Sequence, residues 1–91
     1  MKSNLSLKRK TADIYELPKD VILGVPVLTV TGTDEIYIEN YTSIIEYTNS
    51  LIRIRIKSGQ IKVIGKNLHM DYYNNIDMKI KGRIDSIEFH Y

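Results

Sequence analysis

Between Ile52 and Val63 the chain reads Ile-Arg-Ile-Arg-Ile-Lys-Ser-Gly-Gln-Ile-Lys-Val. A strict alternation of apolar and polar residues is the period of a strand, and no helix can gather those isoleucines on one stripe. Ser58-Gly59 lies where a two-residue turn is needed, with glycine able to adopt the positive φ that hairpin turns demand. Closure at that turn sets Lys57 opposite Gln60, Ile56 opposite Ile61 and Ile54 opposite Val63, so every apolar side chain lands on one face. The other face then carries Arg53, Arg55, Lys57 and Lys62, with Arg55 directly across from Lys62. Such a like-charge pair costs a few tenths of a kcal/mol, roughly, unless an anionic group sits over it. These four cations are therefore a candidate interaction surface for an acidic partner or an anionic membrane.

The same grammar extends over the rest of the chain beyond Val25, where β-branched and aromatic residues alternate with polar ones between Gly, Asn, Asp and Ser clusters. Strands are expected at Val27–Thr31, Glu35–Glu39, Ser43–Thr48, Leu51–Lys57, Gln60–Ile64, Leu68–Tyr73, Asp77–Gly82 and Ile84–Tyr91. Their connections are too short for crossover helices, so consecutive strands should pair antiparallel. The expected fold is all-β: an antiparallel meander of about seven or eight short strands forming an open barrel or a two-layer sandwich. A three-residue loop, Asn74 to Ile76, would pair Tyr72 with Met78 and Met70 with Ile80. The apolar parity slips between Ile84 and the set Ile87, Phe89 and Tyr91, which predicts a bulge near Asp85-Ser86. A meander ends in two edges, and unpaired edge amides and carbonyls recruit other chains. The candidate docking edges are the strand bearing Val27, Thr29 and Thr31 and the strand bearing Ile87, Phe89 and Tyr91.

Residues 1–16 read as a basic arm, with Lys2, Lys8, Arg9 and Lys10 and few apolar side chains, ahead of a single domain over 17–91. Short helical turns fit Ala12 to Leu17 and Pro18 to Leu23, with Gly24 as the stop. The 91 residues are 43% hydrophobic and 26% charged, globular values that exclude a low-complexity or collagen-like chain. The net charge of +2 identifies no partner class. A chain this short without a cysteine staple depends on packing or on self-association, and zero cysteines fit a reducing, intracellular compartment. With no apolar run of the roughly 20 residues that cross a bilayer and no signal-peptide core, a soluble, non-exported protein is expected.

Chemistry-bearing constellations are missing from the sequence. His69 and His90 stand apart from each other and from a second ligand at usable spacing, so no metal site is expected. The five glycines are isolated and form no phosphate-cradling loop, so no nucleotide or other cofactor is expected. Ser58 has no nearby base, and Glu39, Glu46, Asp71 and Asp77 are scattered singly, which argues against catalysis and a small-molecule substrate. Seven tyrosines with several arginines leave a second reading, a small nucleic-acid-binding barrel, which would need aromatics and arginines on one face.

Three stretches carry a family resemblance. Leu17-Pro-Lys-Asp-Val21 leads through Pro26 to Thr29-Val-Thr-Gly32; Ile36-Tyr-Ile-Glu-Asn-Tyr41 follows; Gly59-Gln-Ile-Lys-Val-Ile-Gly-Lys-Asn-Leu68 precedes Ile80-Lys-Gly-Arg-Ile84. In order and spacing they resemble the YabP/YqfC family of small sporulation proteins of endospore-forming Firmicutes, and more closely its YqfC branch. The resemblance implies a non-catalytic protein of the mother-cell cytoplasm that acts in spore envelope assembly through protein partners. It also implies a YqfD-like membrane protein as one partner, at the forespore membrane surface, while a second copy of the chain is the other candidate.

Overall fold

The structure is a computed structural model that describes residues 24–91; the expected basic arm and short helical turns lie outside these residues. Six strands follow in order: β1 Val27–Thr31, β2 Glu35–Glu39, β3 Ser43–Tyr47, β4 Leu51–Ile56, β5 Gly59–Tyr73 and β6 Asp77–His90. All pair antiparallel in one open sheet of order β1-β2-β6-β5-β4-β3. The all-β class and the strand positions agree with the sequence, whereas the consecutive meander does not. The four expected C-terminal strands are two, β5 and β6, and β2 pairs with β6 instead of β3.

A straight strand of 15 residues would run about 50 Å, yet β5 does not. Asn40 donates its backbone N–H to the carbonyl of Ile76 at the tip of the β5–β6 hairpin, and Thr42 donates to that of Arg55 (both 2.8 Å). Arg55 pairs with Gln60, at the opposite end of β5. Two residues of chain span at most about 7 Å, so the two ends of the long hairpin are brought near one another. The sheet is folded over its middle, and its halves enclose one core of Ile36, Ile38, Ile52, Ile54, Ile56, Ile61, Val63, Leu68, Met78 and Ile80.

Bulges make the fold-over compatible with an apolar interior. Each adds one residue and reverses which parity faces inward. On β6 the step from Ile64↔Ser86 to Gly65↔Ile84 leaves Asp85 as the extra residue, the bulge that the parity slip predicts. On β5, Asn67 and Leu68 together oppose Gly82, with Asn67 in the left-handed region (φ 54°), and Asp71 is extra between Met70 and Tyr72. The inward set on β5 therefore changes from Ile61 and Val63 to Leu68 and Met70. Both short hairpins dock their turns onto this bent middle: Gly82 and Ile84 donate to the carbonyls of Asp34 and Thr33, while Gly65 and Leu68 donate to those of Ser50 and Asn49.

Two registers differ from expectation. The β4–β5 turn is Lys57-Ser58, with Ile56 opposite Gly59, Arg55 opposite Gln60 and Arg53, not Arg55, opposite Lys62. The turn lies one residue earlier, which moves each partner by two positions and preserves parity, so the isoleucines still share the core face. Gly59 is required for a different reason than the turn: a Cβ there would lie 2.0 Å from the carbonyl oxygen of His90. At the other tip, Met70 does pair with Ile80, but the Asp71 bulge puts Tyr73 opposite Met78 and Tyr72 opposite Lys79. The strand order ends at β1 and β3. β6 lies inside the strand order, but β2 pairs only with its residues 77–81, so the stretch bearing Ile87 and Phe89 pairs with β5 alone and keeps one side unpaired by any strand, while Tyr91 falls beyond the last strand.

The fold-over predicts unequal tolerance at two glycines. A Cβ on Gly65 would sit 1.9 Å from the Arg83 carbonyl oxygen, whereas on Gly32 (φ 60°) it would meet only the Asp34 carboxylate at 3.4 Å. Gly65→Ala should lower unfolding free energy by about 3 kcal/mol or more, and Gly32→Ala by about 1 kcal/mol from backbone strain alone. Urea denaturation followed by circular dichroism measures both; equal effects would contradict the close approach at the bend.

Candidate functional site

The outward faces of the two half-sheets carry different chemistry. On the β3-β4-β5-β6 half, cross-strand pairing aligns Glu46, Arg53, Lys62 and Glu88 in one row and Ser43, Arg55, Gln60 and His90 in the next. The Arg53 guanidinium meets Glu46 Oε1 through Nε at 2.9 Å and donates from Nη1 to Gln60 Oε1 at 3.2 Å. His90 Nε2 lies 3.1 Å from Glu88 Oε1. Of the four cations singled out in the sequence, Arg53, Arg55 and Lys62 do share this face, and Lys57 sits in the turn at its end. The face is nevertheless not purely basic, because β3 and β6 contribute Glu46 and Glu88 as flanking carboxylates. Those partners come from strands 7 and 26 positions from their cations in sequence, beyond what a hairpin pattern reveals. Arg53 and Glu46 are about one-third exposed, so the pair stabilises by only about 0.5 kcal/mol. Arg55 is exposed, and its row holds no carboxylate.

On the β1-β2-β6-β5 half, the corresponding rows are Thr29, Tyr37, Lys79, Tyr72 and Thr31, Glu35, Lys81, His69. Lys79 pairs with Glu35 at 3.5 Å and Lys81 with Asp71 at 3.9 Å. Tyr37 donates its hydroxyl to Asp77 Oδ2 at 2.5 Å. That hydrogen bond to a carboxylate, with burial and Glu39 adding to it, holds the phenol well above its ordinary range. The Asp77 carboxylate also accepts from Asn74 Nδ2 (2.7 Å), while Asn74 Oδ1 accepts the backbone N–H groups of Ile76 and Asp77. Tyr41 donates to the Asn74 carbonyl, and burial raises its phenol too. These side chains fasten β2 and the Asn40–Thr42 link to the tip of the long hairpin; their geometry is that of a clasp.

The arginines and the tyrosines thus fall on separate half-sheets: Tyr37 and Tyr72 face outward with Lys79, whereas Arg53 and Arg55 face outward on the other half. Tyr47 is committed elsewhere, its hydroxyl accepting from the Met70 backbone N–H at 2.8 Å. A shared stacking platform with arginines is not formed by these strands. Among the described residues, no three His, Asp or Glu side chains group to hold a metal, and no helix is long and apolar enough to cross a membrane.

Of the stretches on which the family resemblance rests, residues 36–41 form β2 with its link, 59–68 the first two-thirds of β5 and 80–84 the Gly82 bend of β6; residues 29–32 end β1, and 17–21 lie outside the described residues. A sequence model of the YabP family matches residues 25–91, the whole folded sheet. The chain belongs to the YabP family. It is also 30% identical over 74 residues to the uncharacterized protein YqfC of Bacillus subtilis (strain 168), covering 81% of this chain and 80% of that protein. No solved structure matches it. The YabP family assignment and the closer YqfC likeness therefore agree with the resemblance in the motifs.

The two outer faces of this YabP-family sheet yield two predictions. Arg53→Glu places a carboxylate between Glu46 and Lys62 and should destabilise by about 0.5–1 kcal/mol, while Arg55→Glu should stay within about 0.5 kcal/mol of the parent; paired urea titrations compare them. For Tyr37, the native state favours the neutral phenol, so its contribution is full below the unfolded value of about 10 and is lost as pH rises past it. Spectrophotometric titration should show a late-ionising tyrosine that disappears in Tyr37→Phe, and the variant's stability should fall less steeply with alkaline pH than the parent's.

Proposed function

We propose that this chain acts in sporulation as a non-catalytic factor of spore envelope assembly, working through protein–protein contacts in the mother-cell cytoplasm. Membership of the YabP family carries this reading, because the family is one of sporulation proteins. The architecture supports it in physical terms. The interior is filled by seven isoleucines with Val63, Leu68 and Met78, so the surfaces and edges are what the protein offers to others. A YqfD-like membrane protein at the forespore surface is the partner proposed, and the exposed Arg55 with Lys57 in the adjoining turn is the proposed contact. Cations at that position would each contribute about 1 kcal/mol against an anionic surface.

The test is an affinity capture from sporulating cells with the tagged chain, in parallel with an Arg55→Glu/Lys57→Glu variant that leaves the Glu46–Arg53 pair intact. Recovery of a YqfD-like membrane protein or of envelope components, weakened in the variant and at high salt, is the expected result. Recovery of nucleic acid alone would overturn the assembly reading.

A further inference from the structure

Sheet edges in soluble proteins are blunted by charges, prolines, bulges or covering segments, because an unprotected edge pairs with whatever strand it meets. Four stretches of edge occur among the described residues, and three are blunted. The C-terminal half of β5 pairs only with β6, is broken at Asn67-Leu68 and at Asp71, and gives its Met70 N–H to the Tyr47 hydroxyl. β3 is interrupted by a bulge at Ile45 and carries Glu46 in its ion pair with Arg53. The C-terminal half of β6 pairs only with β5, is broken at Asp85, and bears Arg83, Asp85 and Glu88. β1 differs in every respect. Val27-Leu-Thr-Val-Thr31 has no charge, no proline and no bulge, and it pairs with β2 in five uninterrupted steps. Nothing among the described residues pairs with its outer side, and Val30 is 47% exposed.

We propose that β1 is a homodimer seam, joining two copies antiparallel about a two-fold axis at Thr29 into one continuous sheet. The inference rests on the assembly reading above and names one partner for it. The sequence of β1 is self-complementary in the way such a seam requires. Centring on Thr29 overlaps all five residues and preserves parity, so Leu28 faces Val30 of the second copy on the core side. Leu28 already packs against the core, and its meeting with Val30 extends both cores across the seam. On the outer side Thr29 meets Thr29 of the second copy and Val27 meets Thr31 of the second copy, an uncharged row with hydroxyls in register. A centre lying between two residues would continue the core face of one copy into the outer face of the second, and is disfavoured. No ionic group of β1 opposes its own kind, as a charged edge strand paired with itself would.

Because the chain contains no cysteine, single cysteines read the register directly. Facing residues of an antiparallel pair have Cα atoms about 4.5–5.5 Å apart, inside the range a disulfide spans. Mild oxidation of full-length Thr29→Cys should give a disulfide-linked dimer. Thr31→Cys alone should not, since its two copies would be about 14 Å apart, but a mixture of Val27→Cys and Thr31→Cys should cross-link. Sedimentation of the unmodified chain should show a concentration-dependent dimer, and Thr29→Lys should weaken it at least about tenfold without changing the circular dichroism, and without changing the melting temperature at dilutions where both chains are monomeric. A chain that stays monomeric at all concentrations, or a dimer whose cross-linking is no faster at Thr29 than at Thr31, overturns the proposal. A monomer that still captures envelope partners would leave the assembly reading standing, and a β1 dimer that captures none would do the reverse.

Discussion

The structure depends on the near contact of two backbones at the centre of the β5–β6 hairpin. Gly65 lies against the carbonyl of Arg83, and Gly82 against that of Asn67, at distances where no Cβ fits. Side-chain-free crossing points let the hairpin turn sharply, and the bulges on either side restore the inward direction of each apolar residue after the turn. Every other contact follows from this. Ile36 and Ile38 of β2 reach complete burial only because the β6 segment they pair with is swung over the β4–β5 isoleucines. The turns of both short hairpins find their hydrogen-bond partners in the same bent region.

Electrostatics is arranged by the long-range pairing in turn. A hairpin considered alone concentrates positive charge, since Arg53, Arg55 and Lys62 alternate with the isoleucines. Adding β3 on one side and β6 on the other supplies Glu46 and Glu88 to the Arg53–Lys62 row and leaves the Arg55 row without a counter-charge. The protein therefore presents a small cationic spot instead of a basic sheet face. On the other half-sheet the ionic groups are matched, Lys79 with Glu35 and Lys81 with Asp71, and the aromatic hydroxyls of Tyr37 and Tyr41 close the clasp at the hairpin tip.

What the sequence discloses follows the range of the interaction involved. Alternation located β1 and β2 to the residue, the β4–β5 core face, and the parity change that marks Asp85. Local turn chemistry places the turn one residue too late, at Ser58-Gly59 instead of Lys57-Ser58, because Gly59 answers not to the turn but to the end of β6 some thirty residues away. Two runs on each side of the bend looked like separate strands because a bulge and a turn both interrupt the period of two. The pairing of β2 with β6 leaves no local trace at all. The interaction surface was legible as a list of cations; its carboxylate neighbours were not, since they arrive on other strands. The uncharged character of β1 stood in the sequence, but its position at an outer edge required the strand order.

Tyr37 and Asp77 are 40 positions apart along the chain, and that separation governs how the fold can be reached. β1 and β2 can form their hairpin early, as can β3 and β4, since each closes over a few residues. Neither has an interior until β6 exists, and loop closure across so many residues is slow compared with local zippering. During synthesis, Ile36 and Ile38 must wait in water until the last strand of the sheet has left the ribosome. The polypeptide therefore spends its vulnerable interval with an apolar hairpin uncovered, and the final strand works as the latch that ends it.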